Sequence, residues 1–194
     1  MKTFFTGFFI FFSALAFQQC ANGSSREQYL KSLDSLEGSL TATTCHLLMA
    51  DTAQITKALE VHAVYKLFLQ NAIHDTINLR EAECIRTFLN SCDQLNVFLS
   101  NRRKLMNRSE LLLSQIRKLR LDIQENNIDL REASRFIQNE TAPASQLMVL
   151  IHSEYKSFYR AHDAYSMSLP GTEDLIRQYN QGQLPDSRPK NQDF

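Results

Sequence analysis

Tryptophan is absent, glycine and proline are scarce, and neither sign of charge prevails. The 194 residues include 5 Gly, 4 Pro, and 21 Lys+Arg against 21 Asp+Glu. Each shortage excludes something. A chain of this length has room for one or two domains. Its balanced charge argues against a dedicated nucleic-acid binder or a strongly charged tail. The lack of turn residues excludes a turn-rich sandwich or barrel, a collagen-like chain and a Gly-loop nucleotide site. The shortage is also localised: between Ser24 and Leu169 only Gly38 and Pro143 occur.

What is present is unevenly placed. Seven of the 13 phenylalanines precede residue 18. Lys2 is followed by the apolar block Phe4-Phe5-Thr6-Gly7-Phe8-Phe9-Ile10-Phe11-Phe12, and then by small residues. One positive charge, a short apolar core and a small-residue end form the layout of a secretory signal. The core is well short of the ~20 apolar residues that span a bilayer. Residues 1–19 are therefore expected to be a signal peptide and the protein to be exported.

Two processing routes compete. Ala14-Leu15-Ala16 is a small-x-small site for cleavage after Ala16. Alternatively Cys20 becomes the acylated first residue of a bacterial lipoprotein, with residues 20–25 as a flexible tether. Phe17-Gln18-Gln19 departs from the usual lipobox, which takes Leu first and small residues after it.

The remaining cysteines are Cys45, Cys84 and Cys92. If Cys20 stays a thiol in an oxidising compartment, four cysteines allow three pairings. Cys84 and Cys92 lie eight apart on one helix, hence ~12 Å along its axis, too far to bridge. That leaves 20–84 with 45–92, or 20–92 with 45–84. If Cys20 carries lipid, at least one of the other three stays free. Alternatively all three are small apolar core residues, the reading that best suits Cys92.

From residue 26 onward apolar residues recur at helical spacing. Leu33, Leu36, Leu40 and Leu47 form one stripe, and Ile55, Leu59, Val61, Val64, Leu67 and Phe68 another behind Asp51, whose Asp-x-x-Gln pattern marks a helix start. Ile85, Phe88, Cys92, Leu95, Leu99, Arg102 and Met106 step as a heptad seam with one polar intruder, Arg102. Leu112, Ile116, Leu119 and Ile123 continue it. Then come Leu130, Ala133, Ile137, Leu147, Leu150, Ile151, Tyr155, Phe158 and Tyr165. Turns are expected at Ile73–Thr76, with Asp75 as N-cap, and at Asn126-Asn127. Asn107–Glu110 is either a break in the third helix or a polar decoration of it. Pro143 should kink its helix or mark a start near Thr141, and Leu169-Pro170-Gly171 should end the body before a short final helix. Residues 181–194 read as a disordered tail. The expected fold is all-α: a single domain over 26–180, an antiparallel bundle of about four main helices, elongated and coiled-coil-like.

Catalytic patterns are missing. No histidine among His46, His62, His74, His152 and His162 has the i, i+3 or i, i+4 partner that metal binding on one helix requires. Cys45-His46 lacks the first cysteine of a haem attachment motif, Ala42 standing in its place. There is no Gly-x-Ser-x-Gly elbow and no phosphate loop. No cofactor, metal, nucleic acid or small-molecule substrate is expected, and the chain is not expected to be an enzyme. The one charge concentration is Arg102, Arg103, Lys104 and Arg108, followed by Arg117, Lys118 and Arg120. It is a candidate contact patch for an acidic partner or anionic headgroups, or a solvated helix face. Sequons at Asn22, Asn107 and Asn139 would matter only in a eukaryotic secretory pathway.

The leading expectation is an exported bacterial envelope protein, periplasmic or lipid-tethered through Cys20, that acts through contacts with a protein partner. In its overall cast it is similar to the small helical lipoproteins of bacterial envelopes, a likeness resting on residues 1–25 and the helical body. The rival is a secreted, extracellular four-helix ligand of cytokine type, suggested by Ala14-Leu15-Ala16, the even cysteine count and the sequons. Against it stand helices that follow one another without the long crossovers such ligands use.

Overall fold

The computed structural model describes residues 25–73 and 77–185, and they are helical almost throughout. Four helices follow in order: α1 (Ser25–Met49), α2 (Thr52–Ala72), α3 (Leu79–Gln124) and α4 (Leu130–Tyr179). No strand occurs among the described residues. The all-α bundle of four helices expected from the periodicity is what forms. The leader, Cys20 and the tail beyond Pro185 lie outside the described residues, as does His74.

The helices differ in length in a way that fixes the architecture. α1 and α2 have 25 and 21 residues, α3 has 46 and α4 has 50. At 1.5 Å per residue, α3 and α4 are about 69 and 75 Å long, whereas α1 is about 37 Å and α2 about 31 Å. α1 and α2 do not pack on one another; both pack on α3 and α4. Cross-contacts give the directions. Arg117 and Arg120 reach Glu37, Arg102 reaches Leu47, and Tyr65 meets Phe88, so α1 and then α2 run antiparallel to α3. Asn101 meets Glu154 and Cys84 meets Ser168, so α4 is antiparallel to α3 as well. The four helices thus make three rods of nearly equal length, the third being α1 and α2 laid end to end with a break at Ala50-Asp51.

Local signals set the boundaries. Asp51 caps α2 as its sequence pattern implies, Oδ1 accepting from the N–H of Ala53 and Gln54 at 2.9 and 3.1 Å. The N-cap of α3 is Asn78 rather than Asp75, which lies outside the described residues. Asn78 and Glu81 form a reciprocal capping box at 2.9 and 3.0 Å, so the helix starts where two orphan donors are met at once. The Asn126-Asn127 turn forms as expected. Asn126 takes φ 61°, and Asn127 N–H returns to Asp122 O at 2.8 Å, closing α3 with a Schellman turn. Asp129 then caps α4.

The helices run on through all three candidate interruptions. Asn107–Glu110 stays helical, with the buried Ser109 hydroxyl donating to Leu105 O at 2.9 Å. Neither Pro143 nor Pro170 breaks α4, which runs unbroken through Thr141, Pro143 and Leu169-Pro170-Gly171 to Tyr179. No separate short C-terminal helix occurs among the described residues. The carbonyls that lose a donor belong to Asn139 and Ser166, both exposed residues, where water can take the donor's place. Ala144, Leu147, Ser168 and Thr172 meanwhile bury the helix on either side of the prolines. Tertiary packing outweighs the local penalty.

The core is a long apolar seam between the rods. Leu33, Leu40 and Leu47 of α1, Phe88, Leu95 and Ile116 of α3, and Leu147 and Ile151 of α4 are essentially sealed from solvent. The α3 seam departs from the expected register after Leu95. Its buried line passes through Phe98, Leu105 and Ser109, while Leu99 and Met106 are only half-buried beside it. Two successive steps of three, Cys92 to Leu95 to Phe98, shift the facing stripe. They set Phe98 on Phe158, ring centroids 4.6 Å apart.

Candidate functional site

The break in the third rod is built into the sequence. On its N-terminal side the last carbonyls of α1 have no helical partner. Arg102, the polar intruder in the α3 seam, supplies one: its Nε–H donates to Leu47 O at 2.7 Å. A cation at a helix C-terminus also opposes the negative end of the helix dipole. On the other side Asp51 satisfies the first amides of α2. Each side of the break thus has a side-chain cap, Arg102 on Leu47 O and Asp51 on the amides of Ala53 and Gln54.

Opposite this break α4 presents a ladder of rings at helical spacing. Tyr155 stacks on His46 of α1 at 4.9 Å and meets Tyr159 edge-on at 4.7 Å. The two tyrosine hydroxyls bond to one another at 2.9 Å. Phe158 joins Phe98 below and approaches His162 at 5.9 Å. Met49 lies over this cluster, its sulfur 3.9 Å from the Tyr155 hydroxyl. Met49 is 71% and Tyr159 49% exposed, so the ladder passes from the core to the surface.

One turn further along, α2 and α4 part to leave a cleft of about 290 Å³. Ile55, Ala58 and Val61 line its α2 side, Leu95 its floor, and His162, Tyr165 and Leu169 its α4 side. Gln54, Lys57 and Glu173 stand at its rim. Glu173 is occupied: Oε1 accepts from the Tyr65 hydroxyl at 3.1 Å and Oε2 from Arg177 at 3.3 Å. Burial, aided by Glu173, pushes the Tyr65 hydroxyl up to about 12, and burial does the same for Tyr165. Both stay neutral at physiological pH, and neither is poised as an acid or base.

The residues singled out from the sequence scatter. Arg102 is drawn inward to Leu47 and leaves the contact patch, because a half-buried guanidinium beside an open helix end finds its acceptor there. Arg103, Lys104 and Arg108 remain exposed on α3 and make no ion pair among the described residues. Arg117 and Arg120 bind Glu37 at 2.6 and 3.3 Å, and Arg120 also binds Asp34 at 3.1 Å. The later half of the basic run therefore fastens α1. Cys45 is exposed, Cys84 half-buried and Cys92 buried, and all three are free thiols. Neither pairing that uses Cys45 with Cys84 or Cys92 is formed. Cys84 donates to Ser168 O at 3.3 Å. Cys92 lies in the core, its thiol pushed up to about 12 by burial.

Of the histidines, His152 is exposed, while His46, His62 and His162 are half-buried on the flanks of the rods. Among the described residues no three His, Cys, Asp or Glu side chains gather closely enough to hold a metal ion. Sequence reasoning placed Tyr155, Phe158 and Tyr165 in the apolar stripe of α4 but passed over Tyr159 and His162. The signal was available, since 155, 158, 159 and 162 share one flank of a helix. Their meeting with His46 and Met49 was not, because it depends on α1 ending at Met49. No family model matches this chain, and no curated protein or solved structure matches it either.

Proposed function

We propose that this is an exported bacterial envelope protein, held at the membrane through Cys20 or free in the periplasm, that acts without catalysis by docking another protein. The observation that carries the docking is the half-exposed cluster of Met49, Tyr155 and Tyr159 at the break in the third rod. Tyrosine and methionine are the side chains that protein interfaces favour over the rest of the surface. Among the described residues the two hydroxyls bond only to each other and to the Met49 sulfur, which leaves acceptor lone pairs, and at most one O–H, for a partner.

Export rests on the Lys2 and Phe-rich leader and on the small residues that follow it. The secreted four-helix ligand is the rival, and the short connections weigh against it. Two residues join α1 to α2, six join α2 to α3 and five join α3 to α4, whereas such ligands need long crossovers.

Intact mass and fractionation test the export. The expected result is a chain shortened to begin at Phe17, or at Cys20 with added acyl mass, recovered from the envelope. A cytosolic chain still beginning at Met1 overturns it. A photo-crosslinking residue placed at Tyr159 tests the docking. It should give one discrete adduct in cells, lost in the Met49→Asp variant; a probe at exposed Asn139 that gives the same adduct, indifferent to Met49, sinks the assignment of the surface.

A further inference from the structure

The cleft between α2 and α4 has a charge pattern of its own. Its walls are mostly apolar, Ile55, Ala58, Val61, Leu95 and Leu169, with the rings of Tyr165 and His162 completing the α4 side. Its volume of about 290 Å³ lies at the lower end of the range for small-molecule sites. Both rim carboxylate oxygens of Glu173 are already taken, by Tyr65 and Arg177. Lys57 has no ion-pair partner among the described residues, and Gln54, one turn before it, adds amide donors to the same end. The uncommitted charge at the mouth is thus a single cation, with a neutral hydrogen-bonding group beside it and apolar wall beyond.

We infer that this cleft binds a free amphipathic carboxylate, a medium-chain fatty acid monomer, with its chain along Val61, Leu95 and Leu169 and its head at Lys57. The polarity of the cleft orients the ligand. The head sits at the Lys57 and Gln54 end, and the tail runs along Val61 toward Leu169. A nucleotide would need more than one free cation and more room. A cationic amphiphile would meet Lys57 and find Glu173 satisfied.

Titration of the folded chain with octanoate, octyltrimethylammonium and octanol, followed by methyl NMR, tests this. Octanoate should saturate and shift the Val61, Leu95 and Leu169 methyls, with the ammonium weaker by about two- to fivefold, given the worth of one exposed charge pair. Lengthening the chain from hexanoate to octanoate should tighten binding by about fourfold per methylene until the cleft is full. Lys57→Glu, at an exposed position that leaves the fold intact, should weaken octanoate about tenfold and favour the ammonium. Val61→Phe should abolish the methyl shifts with the circular dichroism unchanged. Equal binding of the two heads, no saturable shift, or an octanoate affinity unmoved by Lys57→Glu overturns the inference. So does capture by anionic phospholipid vesicles without any response to octanoate monomer.

Discussion

Arg102→Ala removes the cap on α1 and tests whether the break in the third rod is engineered by sequence or tolerated by it. The side chain gives one charge-assisted hydrogen bond, from Nε to Leu47 O at 2.7 Å. Leu47 itself is sealed from solvent. A hydrogen bond involving a charged group contributes about 1.5–3 kcal/mol, and a carbonyl left without a partner costs about 1–3 kcal/mol where it stays buried. These overlap, because the open end of α1 can recruit water, and the lost dipole interaction adds only about 0.3–1 kcal/mol. The net expectation is about 2–3 kcal/mol. In a body of this size each kcal/mol lowers Tm by about 2–4 °C, so Arg102→Ala should melt about 4–12 °C below the parent. Arg103→Ala, next in sequence and exposed, should change stability by less than about 0.5 kcal/mol. Arg102→Lys should recover part of the loss, since an ammonium keeps the charge but not the directed Nε–H. Urea and thermal unfolding measure all three, and hydrogen exchange adds a local readout. Amides from Leu48 to Ala53 should exchange faster in Arg102→Ala, while those around Ile116 follow only the global change. If Arg102→Ala and Arg103→Ala melted together, the seam arginine would be a solvated residue that happens to point inward, and the capping argument would fail.

Other perturbations probe the rods separately. Gly38 is exposed in mid-helix with nothing within 4 Å of an added Cβ, so Gly38→Ala should raise stability by about 0.5–1 kcal/mol in urea unfolding. A Cβ on Gly171 would stand 2.8 Å from the Cys84 sulfur, so Gly171→Ala alone should destabilise by about 1–3 kcal/mol. In a Cys84→Ala background the same change should become stabilising by about 1 kcal/mol, and a double-mutant cycle with no coupling would refute the contact. His62 has its basicity lowered by burial first, Lys66 adding to this and Asp93 opposing it, while its Nε2 has no partner. The folded protein therefore binds fewer protons at this site than the unfolded chain between the depressed pKa and ~6.5. The contribution is present above pH ~6.5 and is lost as pH falls through that window, so His62→Gln should flatten the acid-side slope of stability and leave the slope above pH 7 unchanged.

Helical periodicity carried most of the fold, because a stripe of Leu and Ile at steps of three and four has one structural meaning over twenty residues. It could not say that two of four helices share one rod. That follows from lengths: 25 and 21 residues add to the span of α3 and α4 only once α3 is known to run through Asn107–Glu110 and α4 through its prolines. The first continuity was left open and the break at Leu169-Pro170-Gly171 was misread, for the same reason. Proline and polar clusters are local signals, and the burial of Ser109, Ala144 and Thr172 that overrides them is not local. At the site, Arg102 stood out as anomalous in an apolar seam, yet its acceptor is a backbone carbonyl 55 residues earlier. No side-chain pattern announces such a partner. The cleft was illegible for a related reason, since it arises where two helices diverge and not where any residue type concentrates.

The divided rod also makes its two halves unequal. α1 is fastened to α3 by Arg117 and Arg120 and buries four leucines, Leu33, Leu36, Leu40 and Leu47. α2 buries Ile55, Ala58, Tyr65 and Leu69, makes no ion pair with another helix among the described residues, and is tied across by the Tyr65 bond to Glu173. Because the chain already stops being helical at Ala50-Asp51, α2 can lift off without unwinding its neighbour. It is the segment at the low end of the local-unfolding scale, and what it uncovers is the ring of Phe88 and the thiol of Cys92. A reagent for buried cysteine would then count α2 departures one at a time, while the other two rods stayed zipped.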